Sequence, residues 1–132
     1  MSAEKNIEIV QSYLAARGRG DLDAALEYIA DDFSQRLMFQ MPDNPGEWHG
    51  KEGLRAFVSN IRRLFPDGST VTVERIWGSE DAVIAETINS GHTNNDLDYS
   101  NKYCYIYEIT DGKISAVREY ADSYYARTVL AS

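Results

Sequence analysis

Apolar positions change their period along the chain, and each change marks an element. Ile7, Val10 and Leu14 recur at i, i+3 and i+7, with Ala15 and Ala16 filling in, which predicts an amphipathic helix over about residues 3 to 17. Gly18-Arg19-Gly20 stops it. Asp21 is placed to cap a second short helix with the stripe Leu22, Ala25, Leu26 and Ile29. From Phe33 to Met41 the period falls to two, with Phe33, Leu37, Phe39 and Met41 on one face and Ser34, Arg36, Met38 and Gln40 on the other, as in a strand. Pro42-Asp43-Asn44-Pro45-Gly46 reads as a loop, after which Leu54, Phe57, Val58, Ile61 and Leu64 return to helical spacing until Phe65-Pro66-Asp67-Gly68. Strand-like runs follow at Val71 to Trp77, Ala82 to Ser90, Asn101 to Thr110 and Lys113 to Asp122, and a short helix over Ser123 to Leu130 closes the chain. Helices early and a strand meander late predict a single α+β domain over residues 1–132.

Asp111-Gly112 between two alternating runs favours a two-residue hairpin turn with positive φ at both positions. Counting outward pairs Ile109 with Ile114, Tyr107 with Ala116, Tyr105 with Arg118, Tyr103 with Tyr120 and Asn101 with Asp122, all on one face. The other face carries Cys104, Ile106, Val117 and Ala121. Because both faces are partly apolar, the second is expected to meet another subunit, giving a homodimer through the outer sheet face.

Composition narrows the function classes. With 43% hydrophobic and 26% charged residues the chain lies far from the disordered corner. A net charge of -8, with Arg62-Arg63 the densest basic pair, argues against nucleic acid and anionic membranes as partners. No apolar run is long enough to span a bilayer, and Cys104 is the only cysteine, so the expectation is a cytoplasmic protein without a disulfide or thiolate metal cluster. Neither His49 nor His92 sits in a metal-ligand spacing, and no phosphate loop or nucleophile elbow is present, so neither a metal nor another cofactor is expected.

The residues left to carry chemistry lie on the last hairpin. Tyr103, Tyr105, Tyr107, Arg118, Tyr120 and Asp122 combine aromatic bulk with polar tips, as a pocket for a small organic molecule requires. Glu86 would be costly to bury without an Arg118 or hydroxyl partner, so Glu86 and Asp122 form a candidate acid/base pair. A purely structural network of strand tyrosines and an ion pair fits the same residues.

Val10-Gln11-Ser12-Tyr13-Leu14-Ala15-Ala16 through Gly20-Asp21-Leu22-Asp23 to Ala30-Asp31-Asp32-Phe33, together with Tyr99-Ser100-Asn101-Lys102-Tyr103, Asp111-Gly112-Lys113-Ile114 and Arg118-Glu119-Tyr120-Ala121-Asp122, resemble the nuclear transport factor 2-like superfamily in its SnoaL-like, ketosteroid-isomerase-related branch. The resemblance implies a cone-shaped, curved antiparallel sheet covered by N-terminal helices, a cystatin-like α+β barrel that is usually dimeric. Its members include isomerases, polyketide cyclases, epoxide hydrolases, dehydratases and non-catalytic binding modules. Tyr13 falls where ketosteroid isomerases place the tyrosine that donates to the substrate carbonyl, whereas Leu37 and Tyr105 replace their two aspartates. Asp122 matches the proton-transfer aspartate of SnoaL-like cyclases, while Glu86 and Ile88 stand where epoxide hydrolases carry an Arg and a second Asp. The expected site is thus Asp122 as base, Tyr13 and Tyr105 as oxyanion donors, Arg118 orienting a carboxylate and Glu86 as second acid/base. Tyr103, Tyr120, Asn101, Trp48, Met38 and Phe57 would line the ligand. Two classes stay open: an acid/base enzyme of isomerase, cyclase or lyase type, or a ligand-binding or protein-interaction module without turnover.

Overall fold

A computed structural model describes residues 2–131. Helix α1 (Ala3–Gly18) begins where the Ser2 side chain accepts from the Lys5 amide at 3.1 Å, and it buries Asn6, Val10, Tyr13 and Ala16 along one stripe. The second helix, α2 (Leu22–Leu26), is capped by Asp21 as its sequence position suggests. It stops earlier than the apolar stripe implied. Ile29 instead opens strand β1 (Ile29–Leu37), where its β-branched side chain packs in the sheet opposite Ile114.

β1 ends at Leu37 rather than Met41, and a short strand missing from the sequence reading, β2 (Glu47–His49), pairs antiparallel with it. Gly50, at φ +68, turns the chain into α3 (Gly50–Leu64), which buries Leu54, Phe57 and Val58. The remaining elements are β3 (Ser69–Gly78), β4 (Ala82–His92), β5 (Asp98–Thr110), β6 (Lys113–Ala121) and α4 (Ser123–Leu130). Together the strands form one curved, unclosed sheet in the order β2-β1-β6-β5-β4-β3. All neighbours are antiparallel except β1 and β6, which run parallel, so the sheet is mixed rather than wholly antiparallel.

α1 crosses the sheet over Gly78, where a Cβ would lie 2.7 Å from the Ala3 carbonyl oxygen. The concave side holds a core of Val10, Phe33, Leu54, Val83, Ile114 and Val117, each 0–1% exposed and each contributing roughly 1.5–3 kcal/mol by burial. A second, smaller cluster gathers around Phe65, Tyr99 and Ala126 under α4.

The last hairpin decides which side chains face this interior. Asp111 and Gly112 adopt φ 50 and 77, and Ile109 pairs with Ile114, as the turn demands. Then Ser115 bulges: Glu108 pairs with Ala116, Tyr107 with Val117, Ile106 with Arg118, Tyr105 with Glu119, Cys104 with Tyr120 and Tyr103 with Ala121. The Ser115 hydroxyl fixes the bulge, donating to the Glu108 carbonyl at 3.2 Å and lying 3.0 Å from the Thr110 hydroxyl. One extra residue reverses the facing of everything after it relative to an unbroken count. Arg118 and Tyr120 therefore point outward, correcting the expected register, while Val117, Glu119 and Ala121 turn inward.

Candidate functional site

The concave face encloses a cavity of about 130 Å³ whose walls come from α1, β1, α3 and the inner faces of β3 to β6. Alternation along β5 sends Tyr99, Tyr103, Tyr105 and Tyr107 into it, with the Tyr103 and Tyr105 rings stacked at 5.7 Å and those of Tyr105 and Tyr107 at 5.8 Å. Phe39, Met41, Phe57, Ile61 and Leu64 complete a mostly apolar lining.

Glu119 is the only acidic side chain of that lining among the described residues, and it is 5% exposed. Burial pushes its carboxyl up to about 7; a hydrogen bond from Gln35 and the positive charge of Arg17 pull the other way. Gln35 Nε2 donates to Glu119 Oε2 at 2.6 Å, because Gln35 shares the inward face of β1 with Phe33 and Leu37. On α1, Tyr13 and Arg17 lie one turn apart, and Arg17 Nη1 donates to the Tyr13 hydroxyl at 3.0 Å. The Tyr13 proton is thus left to donate into the cavity.

Across the cavity, Asn89 Nδ2 donates to the Tyr105 hydroxyl at 2.7 Å, while the Thr87 hydroxyl donates to Asn89 Oδ1 at 2.6 Å and fixes the amide's orientation. The Tyr99 and Tyr103 hydroxyls share a hydrogen bond of 2.7 Å, and Asn101 Nδ2 donates to Tyr99 at 2.8 Å. Burial raises Tyr99, Tyr103, Tyr105 and Tyr107 above the usual phenol range, so these four remain hydrogen-bond donors at neutral pH.

Of the residues singled out from sequence, Tyr13, Tyr103, Tyr105, Tyr107 and Phe57 line the cavity. Asn101 stands behind Tyr99, and Trp48 packs edge-on against Phe57 at 4.8 Å. The rest lie elsewhere. Arg118 pairs with Glu108 at 2.5 Å on the outer face, and Glu86 pairs with Arg75 at 3.4 Å, so the Glu86–Arg118 contact expected from sequence is absent. Asp122 is exposed and caps α4, accepting from the Tyr125 amide at 3.1 Å. Tyr120 and Met38 are exposed at 40% and 44%. His92 binds Asp96 and Asp98 at the rim of the β4–β5 turn, away from the cavity lining.

Glu119, Gln35, Arg17 and Asn89 were not singled out from sequence. Gln35 was legible from strand parity and Arg17 from its spacing to Tyr13, whereas Glu119 was hidden by the bulge.

An open curved sheet, helices over its concave face and a buried carboxyl among phenols define the class of small cone-shaped α+β proteins with an internal cavity. The SnoaL-like domain profile matches residues 10–117, and the chain belongs to that family. Among solved structures it is similar to Bal32a from a soil-derived mobile gene cassette (21% identity, 97% of this chain and 98% of that one, TM-score 0.88). It is also similar to an NTF2-like protein from Burkholderia xenovorans (19%, 98% and 98%, 0.84) and to an LEH-like epoxide hydrolase from M. tuberculosis (21%, 98% and 91%, 0.74). At these identities the likeness is one of fold. No curated protein sequence matches the chain significantly.

Proposed function

We propose that the chain is an acid/base enzyme of isomerase, cyclase or lyase type, acting on an apolar, oxygen-bearing organic substrate, with Glu119 rather than Asp122 as the proton-transfer group. One observation carries this reading: a single buried carboxyl, held near neutrality, opens onto an apolar cavity lined by phenol donors. In its carboxylate form Glu119 takes a proton from carbon beside a carbonyl. The C–H electron pair becomes the enolate double bond, and the carbonyl oxygen takes up negative charge. Tyr13 and Tyr105 donate to that oxygen. The proton then returns to another carbon, or assists a leaving group. No electron carrier enters such a sequence, so no cofactor is called for.

The test uses 2-tetralone as a probe. Its α-protons should exchange with deuterium faster with the wild-type protein than in buffer alone, and Glu119→Gln should abolish the acceleration, both followed by proton NMR. Exchange persisting undiminished in Glu119→Gln would reject Glu119 as the base. Tight probe binding without any exchange would move the chain to the ligand-binding class.

We further propose a homodimer through the outer sheet face. Val117 and Ala121, once assigned to that face, point inward, but Trp77, Ile84 and Tyr120 are exposed on it beside the Arg75–Glu86 and Arg118–Glu108 pairs. Sedimentation velocity should find a dimer that Ile84→Glu turns into monomer. A wild-type monomer at ~100 μM, a concentration where a standard-size interface holds, would refute it. No helix among the described residues is long and apolar enough to cross a membrane, and the lone Cys104 suits the reducing cytoplasm.

A further inference from the structure

Arg17 is the one arginine of the cavity lining, and its surroundings differ from those of the arginines on the surface. Arg19, Arg36, Arg55, Arg75 and Arg118 each reach a carboxylate within 4 Å, and Arg62, Arg63 and Arg127, which do not, are exposed to water. Arg17 reaches none among the described residues. Its guanidinium stands 5.6 Å from the Phe57 ring centroid and 5.7 Å from that of Tyr13, and it donates one hydrogen bond, to the Tyr13 hydroxyl. A guanidinium carries five N–H donors in a rigid fork and stays protonated at any physiological pH. Phenol and ring faces attract its charge without neutralising it. Glu119, the one acid of the lining, lies beyond ion-pair range and already accepts from Gln35.

We infer that Arg17 selects substrates that carry a carboxylate, seated on the guanidinium beside Tyr13 while the apolar body lies along the tyrosine stack. The inference rests on the cavity being the substrate site, as proposed above, and names the substrate class. A carboxylate accepts two parallel hydrogen bonds from the guanidinium fork and removes the cost of leaving that charge uncompensated in a largely apolar enclosure. A phosphate fits less well: among the described residues the lining has no lysine and no second arginine, and the chain's net charge of -8 opposes a dianion. Tyr13 links the two ends of the site, since it accepts from the anion-binding arginine and offers its own proton to the reacting oxygen.

The experiment compares 2-naphthoate with 2-naphthamide, which share one ring system and differ in charge, by isothermal titration calorimetry at about pH 6. There the naphthoate is ionised and Glu119 holds its proton. Wild type should bind the acid about ten- to a hundred-fold more tightly than the amide, the range expected of charge-assisted hydrogen bonds. Arg17→Met should bring the ratio to near one while leaving amide binding in place. Arg17→Lys should keep part of the preference, and inorganic phosphate should not compete. Equal binding of acid and amide by wild type would overturn the inference, as would a preference surviving in Arg17→Met or displacement by phosphate. Should Arg17→Met fail to fold, the wild-type ratio and Arg17→Lys decide. Anion preference without deuterium exchange in 2-tetralone would sink the acid/base reading alone; exchange without anion preference would sink this one alone.

Discussion

Replacing Glu119 by glutamine keeps the shape of the side chain and its acceptor oxygen for Gln35, and removes only the titrating proton. In the folded chain the Glu119 carboxyl titrates at about 7, against 4.5 when exposed. Since the folded state holds the proton more tightly, Glu119 supports folding fully below about pH 4.5, and that support drains away as the pH climbs to about 7. Each tenfold difference in proton affinity is worth ~1.4 kcal/mol, so the whole loss amounts to about 3 kcal/mol for this 5%-exposed group. Glu119→Gln has no such slope. Measured by urea unfolding at a series of pH values, the stability of the variant relative to wild type should rise by about 3 kcal/mol between pH 4.5 and pH 8. For a domain of this size that corresponds to a gap of roughly 10 °C in Tm between the two ends of the range. Other titrating groups are common to both proteins and cancel in the difference. A difference that stays flat within ~0.5 kcal/mol would refute the buried, near-neutral carboxyl on which the proposed chemistry depends.

Further tests follow from individual contacts. Tyr13→Phe removes the acceptor for Arg17 and the proposed donor to the substrate oxygen, and should slow 2-tetralone exchange by ~10²-fold, read by proton NMR. Gln35→Leu removes a hydrogen bond that holds the Glu119 carboxyl down, so the rising limb of the exchange-rate profile should move to higher pH. Asp122→Ala should cost about 1 kcal/mol through loss of the α4 cap and leave exchange unchanged; lost exchange in a folded variant would restore Asp122 as base. Gly78→Ala forces a Cβ against the Ala3 carbonyl oxygen and Ile7, and should lower stability by ~1–3 kcal/mol in the same urea assay.

Most elements were legible in the chain because their signals are local. The helical spacing of Leu54, Phe57 and Val58, the Asp21 cap, and the Asp111-Gly112 turn each survive in the fold with little change. What failed was anything that depended on counting through a structure whose regularity breaks. Ser115 gives no sign of bulging, since its hydroxyl earns that position only through the Glu108 carbonyl and Thr110 across the turn. An unbroken count therefore placed Arg118 and Tyr120 on the wall that Glu119 occupies. Ile29 misled for a related reason: it extends a helical stripe in sequence, yet its partner Ile114 lies far along the chain. Glu47–His49 are too few to show a period, and their strand exists because β1 offers an open edge.

The parallel seam between β1 and β6 has a consequence for how the molecule is made. Residues 29–37 leave the ribosome early but must wait for residues 113–121 before that edge is covered. Such distant pairing slows folding, because the intervening loop is closed before contact energy returns. Until β6 slots in, the nascent chain holds Phe33 without its roof and Arg17 without the wall that carries Glu119, a form exposed to chaperones and to aggregation. The complete cavity would then arrive in a single late step.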